Sequence, residues 1–284
     1  MSINESQFEN AKQFLHLHHS DKLLILPNIW DPIGVKLMED LGFPAIATAS
    51  ASIAFSKGYK DGECLSFQQM LESVKQIVRN ATVPISMDFE SGYADNNQVL
   101  ICNAIKAIET GIIGINIEDR LPKNFQLLSV TEQCRKIEII RNVSEKMGIQ
   151  LFINARTDIY DIQDGKSLKE KKIEAIKRGS AYVNAGANCF YPIFLNDTGD
   201  LMEIRQKLQC PINVLLNENL PNIQTLKKIG IARLSLGPSL FKVAITAMKN
   251  AAMNLSNNNT QDFLSKDILS YRQIERIIEN KKGA

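Results

Sequence analysis

Histidine is almost missing from this 284-residue sequence: His16, His18 and His19 are the only three, and all precede the first apolar run. A Ser-His-Asp triad, a Cys-His pair or a three-histidine zinc site would have to recruit that N-terminal cluster, which reads instead as the solvated end of a leading helix. Cysteine is sparse as well. Cys64, Cys102, Cys134, Cys189 and Cys210 are odd in number, far apart and without a C-x-x-C pair. That pattern argues against disulfides and thiolate zinc, and for reduced core thiols. The apolar runs are short and broken by charges, so no membrane span is expected. Lys plus Arg is 33 against 31 for Asp plus Glu, a formal charge of +2, with no basic block. Nucleic acid is therefore not an expected partner. The start, M-S-I-N-E-S-Q-F-E-N, is polar and acidic, unlike a secretory leader, so a cytoplasmic location is the default expectation. Chemistry in the body is left to Asp, Glu, Arg, Lys, Ser, Tyr and Cys.

What the chain does have is alternation. It is 44% hydrophobic, enough for a large core. Eight short apolar runs start near residues 23, 43, 83, 114, 151, 189, 212 and 232, and each is followed by a helical pattern. Eight β-α units are the number that closes a (β/α)8 TIM-type barrel of parallel strands. The expected organisation is a single barrel over 1–253, including an extra N-terminal helix over 3–20, then a hinge and a helical tail over 254–284. Gly42, Gly111, Gly148, Gly179, Gly186 and Gly230 stand where helices should end. The Asn-rich break N254-L-S-N-N-N-T260 marks the hinge. The tail's stripe of Phe263, Leu264, Ile268, Ile274, Ile277 and Ile278 has two readings, a subunit contact or packing on its own barrel.

In such a barrel the site forms at the carboxyl ends of the strands. Two of those ends carry acids, V83-P-I-S-M-D88-F-E90 and G114-I-N-I-E118-D119. Asp88 and Glu90 are two apart, so strand geometry points both toward the mouth, joined by Glu118 from the next strand. Carboxylates this close repel one another unless a cation lies between them. Hard oxygen donors without imidazole or thiolate suit Mg2+ or Mn2+. Asp88 is the expected direct metal ligand, with Glu118 and Glu90 direct or through water. Arg156, in I153-N-A-R-T-D158, could bind a substrate carboxylate or phosphonate with two prongs, or pair with a neighbouring acid. The small residues T48-A-S50-A51-S52 could bring backbone N–H groups to a ligand, or pack a tight loop. Asp61, between Gly58 and Gly62, could reach a metal through water or sit in an ordinary Asp-Gly turn.

These stretches together resemble the isocitrate lyase/phosphoenolpyruvate mutase superfamily, most closely its short phosphonomutase-like (carboxyphosphonoenolpyruvate phosphonomutase-like) branch. The resemblance runs from P27-N-I-W-D31 through A47-T-A-S50, S56-K-G-Y-K-D61-G, D88-F-E-S-G-Y93, G114-I-N-I-E-D119 and N154-A-R-T-D158 to P211-I-N-V and L234-S-L-G-P. It implies Mg2+-dependent chemistry on a small 2-oxo acid or phosphonate through an enolate-like oxyanion. It also implies Asp88 as principal metal ligand, Glu90, Glu118 and Asp61 holding metal waters, and Arg156 anchoring substrate. Ser50 and Ala51 match the loop that touches the substrate carboxylate, and Trp30 with Asp31 match a stretch near the pocket. Asn213, at the end of the seventh strand, completes the substrate-binding candidates. Family members are commonly tetramers that exchange their last barrel helix, so a homo-oligomer is implied.

The departures lie after the E-D pair. The lyases carry K-K-C-G-H or K-R-C-G-H there, with a catalytic cysteine, whereas this chain reads E118-D-R-L-P-K123-N124-F-Q-L-L-S129. Cys134 falls in the following helix, and Lys123 and Asn124 partly match the gating loop of the mutases and phosphonopyruvate hydrolases. The catalytic candidates are therefore Arg156, Asp61, Lys123 and Asn124. The leading expectation is a Mg2+-dependent lyase that cleaves or decarboxylates a 2-oxo acid. P–C bond chemistry, a class II aldolase-like barrel and a barrel that only binds a metabolite are the alternatives.

Overall fold

The computed structural model describes residues 5–122, 126–256 and 268–279. Helix α1 (Glu5–His19) leads into β1 (Leu24–Leu26), and Pro27 divides one stave into β1 and β2 (Asn28–Ile29). The strands β3 (Ile46–Thr48), β4 (Ile85–Asp88), β5 (Gly114–Glu118), β6 (Phe152–Thr157), β7 (Cys189–Pro192), β8 (Asn213–Leu215) and β9 (Arg233–Ser235) follow, all paired in parallel. One ladder runs β2-β3-β4-β5-β6-β7 and the other β8-β9-β1. A parallel bridge between Phe190 and Ile212 joins β7 to β8. Pairing thus passes through eight staves and returns to the stave that Pro27 divides.

Between the strands lie α2 (Pro32–Asp40), α3 (Ser50–Ser56), α4 (Phe67–Arg79), α5 (Asn97–Ile108), α6 (Val130–Lys146), α7 (Leu168–Asn184), α8 (Thr198–Leu208) and α9 (Ile223–Ile229). Their starts are chemically fixed. Asp31, Ser66, Asn96, Asp197 and Asn222 cap α2, α4, α5, α8 and α9, while Ser129–Glu132 and Ser167–Glu170 form full capping boxes on α6 and α7. Each loop at the carboxyl end of those strands is therefore pinned where its helix begins. At the opposite end α1 seals the barrel floor. Phe14 and His18 meet Phe152, with ring centroids 5.1 and 4.0 Å apart.

Four local features differ from the sequence reading. His18 is buried against the floor and not solvated. Burial pushes its pKa down to about 3, so the ring is neutral, and Nδ1 lies 2.8 Å from the Phe14 carbonyl. The small-residue stretch after β3 forms a short helix, α3, and not a loop. Helix α7 runs through Gly179 to Asn184, because Gly179 serves packing and not capping: a Cβ there would meet Leu208 Cδ1 and stand 3.1 Å from the Phe190 ring. The expected boundary at 253/254 falls inside α10 (Ser239–Ser256).

No residue of α10 is buried, and Val243, Met248 and Met253 are among its exposed apolar side chains. Helix α11 (Tyr271–Glu279) lies against α2 of its own barrel and buries Ile277. Phe263 and Leu264 of the tail stripe lie outside the described residues. Among those residues no helix is long and apolar enough to cross a membrane.

Gly179→Ala tests the α7–α8 approach. Overpacking costs about 1–3 kcal/mol, and better helix propensity returns at most about 1 kcal/mol. The expected result is a net loss of stability of about 1–2 kcal/mol, read by urea denaturation; a gain would show that Leu208 gives way freely.

Candidate active site

The carboxyl ends of the strands open into a cavity of about 490 Å3. Asp88, Glu90, Glu118, Asp61, Arg156, Ser50 and Ala51 all line it. Asp88 closes β4 and is held from three sides. Its Oδ2 accepts from the Ser50 hydroxyl at 2.6 Å and the Ser50 N–H at 3.3 Å, its Oδ1 accepts from Asn116 Nδ2 at 3.0 Å, and its N–H donates to Thr48 Oγ1. Asn116 in turn accepts from Asn154 Nδ2 at 2.9 Å, so an amide relay crosses the barrel interior to the acid.

Glu90 reaches the cavity by another route than period-two geometry. β4 ends at Asp88, and Glu90 has a φ of 47°, the left-handed region, inside a turn closed by Gly92 N–H on the Phe89 carbonyl. Its carboxylate accepts from the Glu63 N–H at 2.7 Å and from the Tyr93 hydroxyl. Glu63 grips the same turn, accepting from Ser91 N–H, Ser91 Oγ and Tyr93 N–H. Burial, then the charge of Asp88, pushes Glu90 up to about 8, against the pull of Tyr93. Asp61, at the exposed rim, is raised by burial and Asp88 together. Burial also raises Glu118, opposed by Arg156.

Arg156 is both a cavity residue and an ion-pair partner. Its Nε and Nη2 donate to Asp158 at 2.8 and 2.5 Å, and Nη1 lies 2.9 Å from Glu118. Burial works against its charge, but Glu118 and Asp158 outweigh that and raise its pKa. Three of the five guanidinium N–H groups are thereby occupied and the plane is fixed. Asp119 turns away: its Oδ2 takes Arg178 Nη1 at 3.0 Å and the Tyr182 hydroxyl at 2.7 Å, fastening β5 to α7.

The remaining candidates lie elsewhere. Trp30 stands outside the lining, edge-on to Phe241 at 5.1 Å, and Asp31 is spent capping α2. Asn213 is wholly buried beneath the lining. Lys123 and Asn124 lie outside the described residues. Cys134 sits half-buried on α6, away from the lining, its thiol pushed up by burial. Several cavity residues were not singled out in the sequence: Lys60, Ser86, Asn116 and Arg233. One signal was present, since Asn116, Asn154 and Asn213 each follow an isoleucine within a strand, I-N three times over.

Among the described residues no three His, Cys, Asp or Glu side chains close on one point. The donor set still fits a hard dication. It is all oxygen, burial and neighbouring acids drive the carboxyls of Glu90, Glu118 and Asp61 toward protonation, and Mg2+ usually takes only one or two protein ligands and keeps several waters.

A family model for phosphoenolpyruvate phosphomutase matches residues 14–256. The chain belongs to that family. A Burkholderia cenocepacia protein of known structure, named as a candidate phosphonomutase, is 30% identical with a TM-score of 0.81, over 87% of this chain and 99% of that one. The 2-methylisocitrate lyase of Bacillus subtilis is 27% identical over 75% of this chain and 69% of its own. Oxaloacetate decarboxylase 2 of Pseudomonas fluorescens is 23% identical over 94% and 92%. Members of this isocitrate lyase/phosphoenolpyruvate mutase superfamily are lyases and mutases, and this barrel is an enzyme of that class.

Glu90 binds its proton more tightly folded than unfolded. Its stabilising effect is complete below the unfolded pKa near 4.5 and is lost as pH rises toward 8. Glu90 should therefore cost metal-free protein stability between pH 5 and 8, its own share being at most about 1.4 kcal/mol for each pH step of one. Urea melts across that range should show a shallower slope for Glu90→Gln. An unchanged slope would place the titration elsewhere.

Proposed function

We propose that this enzyme is a Mg2+-dependent lyase that cleaves or decarboxylates a small 2-oxo acid. The observation that carries this reading is the convergence of Asp88, Glu90, Glu118 and Asp61 with Arg156 around one cavity at the strand ends. Asp88 would hold the cation directly, with Glu118, Glu90 and Asp61 binding through its waters. Once bound there, the cation supplies positive charge to the oxygen on which negative charge develops as a bond at C3 breaks. Arg156 does the positioning. Asp158 fixes its plane, and its two remaining N–H groups are available to a substrate carboxylate. The Ser50 hydroxyl, the Ser50 N–H and Asn116 orient Asp88 so that no rotation is needed when substrate arrives.

The names of the Bacillus lyase and the Pseudomonas decarboxylase support C–C chemistry. P–C bond chemistry is the second reading, favoured by the 30% identity to the Burkholderia protein. The bare face of α10 supports a homo-oligomer in which a second copy covers that helix.

The test is an assay of 2-methylisocitrate, oxaloacetate and phosphonopyruvate with Mg2+ and with chelator. Turnover of an oxo diacid, lost on chelation, is the expected result; P–C cleavage of phosphonopyruvate alone would favour the second reading. Asp88→Ala should abolish metal-dependent turnover, and retained Mg2+ dependence would remove Asp88 from the ligand role. Cys134→Ser should leave kcat unchanged, and a large loss would revive a thiol mechanism.

A further inference from the structure

Arg233 is a buried cation with no carboxylate in salt-bridge contact among the described residues; the charge of Asp88 acts on it without touching it. It sits on β9, 2% exposed, and forms part of the cavity wall. Its Nε donates to Ser235 Oγ at 2.9 Å, while Nη1 is buried without a partner. Other enclosed arginines are answered. Arg156 has Glu118 and Asp158, Arg178 has Asp119 and Glu174, and Arg141 donates to the Gly186 and Leu151 carbonyls and to Asn188.

Other polar groups of the barrel interior are unanswered as well. Ser86 Oγ, on the cavity wall, has no partner. Nor has either amide atom of Asn213, the register neighbour of Arg233 on β8. Barrel interiors are ordinarily filled with bulky branched apolar side chains. A buried guanidinium without an anion is costly, and replacing it with an apolar group of similar volume is commonly neutral or stabilising. A charge held at such cost beside an open cavity is suited to a ligand that brings its own negative charge.

We propose that Arg233 is a specificity-determining residue that receives a second acidic group of the substrate, a carboxylate remote from the 2-oxo acid end. The assignment rests on the reading of Arg156 as the anchor for that 2-oxo end. The wall then distinguishes a 2-oxo diacid from a 2-oxo monoacid by one charge-assisted contact. Ser235, which accepts from Arg233 Nε, supplies a hydroxyl next to that contact.

The experiment measures binding by calorimetry with Mg2+ present, for wild type, Arg233→Met and Arg233→Lys. Three probes separate the two ends: oxalate for the Arg156 end, 2-oxobutyrate as a monoacid, and 3,3-difluorooxaloacetate as a stable diacid. Arg233→Met should weaken the diacid by about 10- to 100-fold and leave oxalate and 2-oxobutyrate unchanged, with Arg233→Lys between. The melting temperature of ligand-free Arg233→Met should equal or exceed that of wild type. Unchanged diacid affinity beside intact oxalate binding overturns the Arg233 assignment alone. A lowered melting temperature with all three probes weakened equally overturns it in favour of a structural role. Failure of wild type to bind oxalate overturns the reading of the Arg156 end, and the proposal with it.

Discussion

Negative charge gathered in a half-dry cavity is the constraint around which this barrel is built. Asp61, Asp88, Glu90 and Glu118 come from two loops and two strand ends, and left to themselves their charges would repel. Each of the three innermost is restrained differently. Asp88 is hydrogen-bonded from β3, α3 and β5, Glu90 is caught by Glu63 and Tyr93, and Glu118 leans on Arg156. Arg156 is braced by Asp158, whose N–H donates to Asp119, which is fastened to Arg178 and Tyr182 on α7. Ion pairs and a hydrogen bond therefore run in series from the cavity wall to the outer helices, and the site inherits its rigidity from the second layer of the fold. Asp119 shows why the E-D pair is double: one acid faces the chemistry and its neighbour holds the wall.

The eight-stave pattern was readable because each β-α unit carries its own punctuation, an apolar run, a polar cap and a helix of ordinary length. The β5 range and the α8 range fall where periodicity places them. What could not be read were features that depend on contact between distant segments. Gly179 resembles a helix stop, yet its role is set by Leu208 and Phe190 on other elements. His18 resembles a solvated residue until Phe152 is placed above it. Small residues after β3 suit a loop or a helix equally, and capture of Ser50 by Asp88 accompanies the helix.

The candidate site was legible in part for the same reason. Charged residues at strand ends are local signals, so Asp88, Glu118 and Arg156 could be named from spacing. Glu90 could be named too, but not the left-handed turn that delivers it, since that turn exists through contacts with Glu63, far away in sequence. Arg233 was silent because an arginine in a strand usually faces solvent. Its inward direction is fixed by the parity of β9 against β8 and β1, which only the assembled ladder defines.

Helix α10 begins at Ser239, directly after Pro238 and Gly237 on the cavity wall. Phe241, near its root, braces both Trp30 and Phe55. The mouth of the barrel and the bare apolar helix are thus joined through one aromatic cluster. If a second copy covers α10 as proposed, turnover per molecule would depend on crowding, since a dilute sample and a concentrated one would present differently supported rims to the same metabolite.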